Sequence, residues 1–182
     1  MKIIIVASTS DFINAFLIDF ILSLSKNHEI LIVTDKNIQK FKSNKKINQK
    51  NIKFDRKINI FNDIKCLFKF YFYIIKFSPK AVISFTPKAG LISSITSFLS
   101  FTKIRLHYFT GQIWAKQEKK IDNLLMLLDK LISTLSTNIL CDSSGQKKFL
   151  VKKGIVNSSK INLIHNGSIK GVNLNFFNYK PL

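Results

Sequence analysis

The sequence predicts a doubly wound α/β fold, a mostly parallel sheet covered by helices on both faces. Three observations predict it. Short continuous apolar runs alternate along the chain with longer segments whose apolar residues recur at helical spacing. No repeat or low-complexity linker interrupts the alternation. The 182 residues, 46% of them hydrophobic, suffice for one core and are too few for two. Strands and helices alternating in one sheet imply right-handed crossovers.

The elements follow in order. Residues 2–7 are an apolar run suited to a buried parallel strand, broken by the polar residues 8–11. From 12 to 26, apolar residues at 13, 16, 17, 20, 21 and 24 mark one helix. Residues 28–34 are a second strand and 51–54 a short third. A helix over about 62–77 ends before Pro79, because the residue ahead of proline resists helix. Residues 81–85 are a strand, 87–101 a helix with proline in its first turn, and 104–109 a strand. The clearest helix is 119–136. After a strand at 138–141, Ser143 and Gln146 form a capping box for a helix over 143–153, and 160–164 is the last strand.

Net charge is +19, from 29 Lys plus Arg against 10 Asp plus Glu. Such a chain attracts polyanions: nucleic acid, anionic lipid or phosphorylated small molecules. Only Arg56 and Arg105 are arginine, and base readout favours arginine, so no specific nucleic-acid partner is expected. The abundance of Ile, Asn, Lys and Phe, residues of AT-rich codons, accounts for part of the charge as a solvated surface. The rest is uneven. Residues 36–57 hold nine basic residues and one acid, and residues 63–77 then carry six aromatics with Lys65, Lys69 and Lys76. Basic stems beside aromatic rings suit a headgroup boundary. Lys42, Lys45, Lys46, Lys50, Lys65 and Lys69 are the candidate contacts to an anionic membrane. A helix whose aromatics are core is the alternative, and both hold if its two faces differ.

Other chemistries are excluded. No run reaches the roughly 18 uncharged residues of a transmembrane helix, and the amino-terminal apolar run is too short for a signal peptide. The chain is therefore expected in the cytoplasm, soluble or peripheral at the inner face of the cell membrane. Cys66 and Cys141 read as reduced core thiols. The first strand-to-helix turn has no glycine, which removes a dinucleotide fingerprint and a P-loop. His28, His107 and His165 lack ligand spacing, so no metal is expected.

In doubly wound sheets, ligands bind outside the carboxyl ends of the strands. Three polar loops fall there: Ser8, Thr9 and Ser10; Thr86, Pro87 and Lys88; Thr110, Gly111 and Gln112. The first two also open helices, where backbone N–H groups meet anions, although a hydroxyl at such a place is also an ordinary helix cap.

From Thr86 onward the residues become recognisable. Thr86-Pro87-Lys88-Ala89-Gly90-Leu91 is followed by Arg105 through Ala115, with its Phe-Thr-Gly-Gln-Ile-Trp-Ala run, and then by Leu128-Asp129-Lys130. Asp142-Ser143, Gln146 and Phe149-Leu150 continue the series, and Asn166-Gly167-Ser168-Ile169 with Gly171-Val172-Asn173 close it. This resembles the amino-terminal half of bacterial family 4 glycosyltransferases, especially those that build lipid-linked polysaccharide and capsule sugars. The resemblance implies one Rossmann-like half of a GT-B enzyme that retains anomeric configuration. Its acceptor-side domain spans 1–173, and 174–182 begin an interdomain linker, with the donor domain absent. Ser8, Thr9, Ser10, Thr86, Lys88, Thr110, Gly111, Gln112 and Trp114 are the implied acceptor-side residues. The acceptor is expected to be linked to a lipid phosphate. This chain itself carries no cofactor; a nucleotide sugar is the expected donor, held by the other half, which a separate donor-domain protein could supply. Many relatives carry a histidine where this chain has Phe109. His107, two residues earlier on the same strand face, is the candidate catalytic helper, with a buried structural histidine as the alternative. A different class of function also stays open: a non-catalytic, membrane-attached subunit that recruits a separate donor-domain protein.

Overall fold

The amino-terminal run forms β1 (Lys2–Val6), and every residue after Lys2 is buried. A strand without a polar face belongs inside a sheet. The other strands are β2 (Glu29–Thr34), β3 (Ile47–Asn51), β4 (Ala81–Phe85), β5 (Ile104–Phe109), β6 (Asn138–Cys141) and β7 (Ile161–Leu163). They pair in the order β3-β2-β1-β4-β5-β6-β7, with every pairing parallel. The computed structural model describes residues 1–55, 58–116, 121–164 and 167–171. The expected linker at 174–182, together with Asn166, Val172 and Asn173, lies outside them.

Alternate residues of the strands feed two layers. Ile3, Ile5, Ile30 and Ile32 pack against Ile13 of α1 (Ser10–Phe16), Ile21 of α2 (Ile18–Ser25) and Phe41 of a 3₁₀ turn. Ile4, Val6, Leu31 and Val33 face the other way, onto Phe70 and Ile74 of α3 (Ile60–Phe77) and Ala89 and Ile92 of α4 (Pro87–Leu99). On that second face, α5 (Asp122–Leu135) and α6 (Ser144–Lys152) add Leu125 and Leu150 to a cluster on Phe109, Ile139 and Cys141. Cys66 and Cys141 are both buried and unpaired. Among the described residues, no helix is long and apolar enough to cross a membrane.

Two expected elements change. The single helix expected over 12–26 is two, broken at Leu17, whose φ of −116° and ψ of −2° leave helical geometry. Leu17 is itself fully buried, so the apolar stripe runs on through the break and the periodicity cannot show it. The third strand lies at Ile47–Asn51 and not at 51–54. It is an edge strand of mostly polar residues, whereas Ile52 and Phe54 follow it and pack under α3. The apolar signal belonged to the core beside the strand.

α4 is enclosed by α3, α5 and the sheet, which requires small side chains. Ser93, Ser94, Thr96 and Ser97 are buried, and each hydroxyl donates to a carbonyl of its own helix. At Gly90 the helix lies directly on His107. A Cβ there would come within 2.7 Å of the imidazole Nδ1. That nitrogen also contacts the Ser84 hydroxyl at 2.9 Å, tying β4 to β5.

Gly90→Ala is expected to destabilise the protein by about 1–3 kcal/mol, because the overpacked helix must move off the sheet. In a double-mutant cycle with His107→Ala, measured by denaturant unfolding, the two losses should be strongly non-additive. Simple additivity would show that the contact does not set the helix position.

Candidate functional site at the carboxyl rim

β1 and β4 are neighbours, yet the helices after them leave to opposite faces, α1 to one and α4 to the other. That reversal opens a crevice at the strand ends, the place where doubly wound sheets take ligands. Ser8 and Thr86 close its floor. The Ser8 N–H donates to Thr86 Oγ1 at 3.0 Å, and the two hydroxyls lie 2.8 Å apart. Thr86 makes this contact with φ at 66°, a backbone region disfavoured for a β-branched residue, at a cost on the order of 1–3 kcal/mol. Its hydroxyl caps no N–H of α4. Thr9, by contrast, is an ordinary cap: its Oγ1 accepts from Phe12 N–H. The Ser10 N–H donates to Asp35 Oδ1 at 2.6 Å, which binds the end of β2 to the start of α1. Burial pushes the Asp35 carboxyl up, but the hydrogen bonds from Ser10 and Thr34 outweigh it and leave the pKa below the usual range.

One strand further along, Thr110, Gly111 and Gln112 face the first turn of α6 across a hollow of about 390 Å³. Gly111 has φ of 148°, and no atom lies near the position of a Cβ. Backbone conformation, rather than crowding, therefore favours glycine there. Gln112 Oε1 accepts from Gln146 Nε2 at 3.2 Å, while its own Nε2 is buried without a protein partner. Only half of the expected capping box forms. The Gln146 N–H donates to Ser143 Oγ, but its Oε1 accepts from the N–H of Asp142, one residue before the cap, and not from Ser143. Asp142 accepts from the Tyr108 hydroxyl at 2.8 Å; burial, then this carboxylate, raise the tyrosine pKa. Asp35, Tyr108 and Asp142 were absent from the expected acceptor-side set. A lone acid after a strand carries no spacing signal, and only the adjacency of β5 and β6 brings Tyr108 to Asp142.

Three expected site residues lie elsewhere. His107 is 1% exposed, enclosed under Gly90 with its ring edge-on to Phe109, 4.6 Å between centroids. Burial drives its pKa down to about 3, so it is a neutral imidazole with no open path to a ligand. Lys88 points from the first turn of α4 across to α3, where its Nζ meets Asp63 at 2.7 and 2.8 Å. Trp114 turns inward and is 1% exposed. Its indole N–H donates to Asp129 Oδ2 at 2.7 Å, and its ring stacks on Phe149. Trp114 nonetheless lines a second, apolar hollow of about 320 Å³ between the starts of α3, α4 and α5.

The expected membrane lysines divide. Lys42, Lys45 and Lys46 precede β3, at the amino-terminal end of the sheet, and Lys46 donates to the Lys26 carbonyl just after α2. Lys65 and Lys69 are exposed on α3, on the opposite face, beside Phe61, Phe68 and Phe72, which are 84%, 64% and 66% exposed. Strand alternation points Lys50 towards the α3 side as well. α3 is thus core along Cys66, Phe70 and Ile74 and an uncovered aromatic stripe opposite.

No protein-family profile matches the chain. Over 126 residues it is 29% identical to the capsular polysaccharide biosynthesis glycosyltransferase CapM of Staphylococcus aureus, a stretch that is 69% of this chain and 33% of that protein. Among solved structures, it superposes on the apo form of the lipopolysaccharide outer core galactosyltransferase WaaB with a TM-score of 0.63 at 16% identity, over 89% of this chain and 44% of that one. For the UDP-N-acetylglucosamine 2-epimerase from Rickettsia bellii the TM-score is 0.69 at 12% identity, over 92% and 45%. The domain is a Rossmann-like α/β unit matching one half of two-domain GT-B proteins, a fold that transferases and epimerases share. In sequence it is kin to a capsular polysaccharide glycosyltransferase. The chain spans about a third of that relative's length.

Asp129 supplies a test of the site's electrostatics. Burial lifts its pKa to about 6, against the opposing pull of the Trp114 N–H. The folded state therefore binds this proton more tightly than the unfolded chain. The group's contribution is best below about pH 4 and is lost as pH rises through 6. Asn at 129 keeps an acceptor for the indole. Asp129→Asn should raise the melting temperature at pH 7–8, with a gain on the order of 3 kcal/mol that fades by pH 4. His107 acts in the opposite sense, losing stability as pH falls below 6.5, so the difference between variant and parent is the quantity to measure. A gain that does not vary with pH would refute the assignment.

Proposed function

We propose that this chain is the acceptor-binding half of a retaining glycosyltransferase. It would move a sugar from a nucleotide sugar to a lipid-linked or polysaccharide acceptor of the capsule, O-antigen or exopolysaccharide kind. The observation that carries the reading is the 126-residue similarity to a capsular polysaccharide glycosyltransferase. A stretch that long in a 182-residue chain cannot avoid residues 57–126, so it takes in the Thr86 and Thr110–Gln112 loops. Those loops meet at the rim where the fold favours a ligand.

In this reading the crevice floor, Ser8 and Thr86, and the Gln112 amide orient acceptor hydroxyls. Gln112 suits the role because Gln146 holds its oxygen and leaves its buried NH₂ without a protein acceptor. His107 supports the strand beneath and transfers no proton. The leaving nucleoside diphosphate needs preorganised donors at its own site, which the donor half would supply. With a donor half added, Gln112→Ala should lower kcat/KM by about tenfold or more while the melting temperature stays within a few degrees. Residues 1–182 alone, given a nucleotide sugar, should show no turnover. Unaltered kcat/KM in the variant would make Gln112 structural, and turnover by residues 1–182 alone would overturn the division of labour. If the mixture binds but never transfers, the recruiting-subunit reading replaces this one.

The uncovered stripe on α3 supports attachment to an anionic membrane surface. Exposed phenylalanines alternate there with lysines, each worth about 1 kcal/mol near an anionic leaflet. Changing Phe61, Phe68 and Phe72 to Ser should abolish co-sedimentation with anionic vesicles. Changing Lys42, Lys45 and Lys46 to Gln should leave it nearly intact, since those residues precede β3 at the amino-terminal end of the sheet, away from the stripe on α3. The reverse pattern would place the contact at the amino-terminal edge.

A further inference from the structure

The hollow between the starts of α3, α4 and α5 has no part in the rim chemistry above, and its charges do not balance. Its walls are mostly apolar, with Pro87, Leu91, Leu124, Leu128 and Ile132 among them. Two carboxylates, Asp63 and Asp129, share that lining with one lysine, Lys88, which leaves a net charge of −1. Lys88 and Asp63 satisfy each other at 2.7 Å. The uncompensated charge is Asp129.

Asp129 is only 5% exposed. The Trp114 indole N–H donates to its Oδ2, but among the described residues nothing donates to Oδ1. That oxygen is not sealed in the interior, because it keeps contact with solvent, and the hollow is the space its side chain lines. A carboxylate buried with half of its hydrogen bonding unmet costs stability, and an amide would serve the indole as well. With burial holding its pKa at about 6, the group is nevertheless mostly ionised at neutral pH. An acid kept in that condition inside a cavity marks a candidate binding group. Its complement is a compact apolar body ending in an ammonium, which brings both the missing donor and the missing positive charge. Repulsion from the rest of a +19 chain is screened over about 8–10 Å at physiological salt, whereas a contact pair inside the hollow is screened little.

We propose that this hollow is a binding site for a small hydrophobic ammonium, a primary alkyl- or arylalkylamine, with its nitrogen on Asp129 Oδ1 and its hydrocarbon between α4 and α5. The site is separate from the rim crevice. Its volume of about 320 Å³ lies at the lower end of small-molecule sites, roughly 300 to 1,000 Å³, and restricts it to a compact ligand. The charged or titratable groups around Asp129 are Asp63 from α3, Lys88 from α4 and His107 from β5, with the exposed Lys130 next to it on α5. Past the end of α6, Lys153 sits over the Phe149 ring that stacks on Trp114. His107 stays neutral down to about pH 3, so it does not alter the charge of the hollow near pH 6.

The test is direct binding to the 182-residue chain, with no donor half present. Phenylbutylamine is the probe, and phenylbutanol and phenylbutyrate are its neutral and anionic counterparts. Calorimetry gives the affinity, and the fluorescence of Trp114, the single tryptophan, reports occupancy of the hollow. The amine should bind at least about tenfold more tightly than either counterpart. Asp129→Asn, which is expected to fold more stably than the parent at neutral pH, should lose that preference and bind amine and alcohol alike. Between pH 7 and pH 5 the parent's affinity for the amine should fall about tenfold as a proton takes the carboxylate, and the Asn variant should show no such fall. Asp19→Asn, which removes an exposed carboxylate from α2 on the other face, should bind the amine as the parent does. Any of four results would overturn the proposal: alcohol or carboxylate binding as tightly as the amine, a preference that survives Asp129→Asn, an amine affinity that does not change between pH 7 and pH 5, or no binding of the amine at millimolar concentration. None of them bears on sugar transfer, which tests the transferase reading separately.

Discussion

The handedness of the strand–helix–strand crossover governs the rest of this molecule. Because each parallel connection turns the same way, the helix after β1, which leads to β2 on one side of the pair, and the helix after β4, which leads to β5 on the other, must leave to opposite faces. The crevice between them is a consequence of chirality and not of any particular side chain. Side chains then determine what it offers. Ser8 and Thr86 hydrogen-bond across it, and the disfavoured backbone of Thr86 is held by that bond and by Pro87, which starts α4 at once. A threonine kept in a costly conformation by its surroundings, at the one place where the topology opens, is the kind of strain that accompanies function.

α4 carries that geometry into the interior. It lies between two helices and the sheet, so its residues are small and its hydroxyls bond within the helix. At Gly90 it rests on the His107 ring, which is itself tied to Ser84. This stack sets the height of the α4 amino terminus above β4 and β5, and so the position of Thr86 and Lys88 relative to the rim. A histidine that resembled a catalytic group in sequence thus serves as a spacer, kept neutral by burial. The same close packing leaves a hollow where α3 and α5 diverge at their rim ends, with the Trp114–Asp129 pair as part of its floor.

The positive charge is not one surface. Lysines before β3 stand at the amino-terminal end of the sheet, and those on α3 stand on the second face beside exposed phenylalanines. Only the second group combines charge with uncovered apolar area, which is the combination an interface with anionic lipid needs. The excess of lysine elsewhere matches a solvated surface and the composition of an AT-rich coding sequence.

The sequence by itself determined the strand–helix order, the parallel sheet and the buried β1, because these depend on local periodicity and on the length of apolar runs. It also marked the loops at residues 8–10, 86–88 and 110–112, since polar residues after an apolar strand have one place to be in such a fold. It misread the third strand, where the apolar residues belong to the core next door, and the break at Leu17, which leaves no trace in periodicity. Tertiary structure alone decided which polar residues meet. Trp114 and Lys88 share the rim loops in sequence, yet one is pulled under by Asp129 and the other across to Asp63. Tyr108, Asp142, Gln146 and Gln112 come together only because β5 and β6 are neighbours. A side chain's partner depends on distance in space, and spacing along the chain does not encode that distance between residues brought together by different strands.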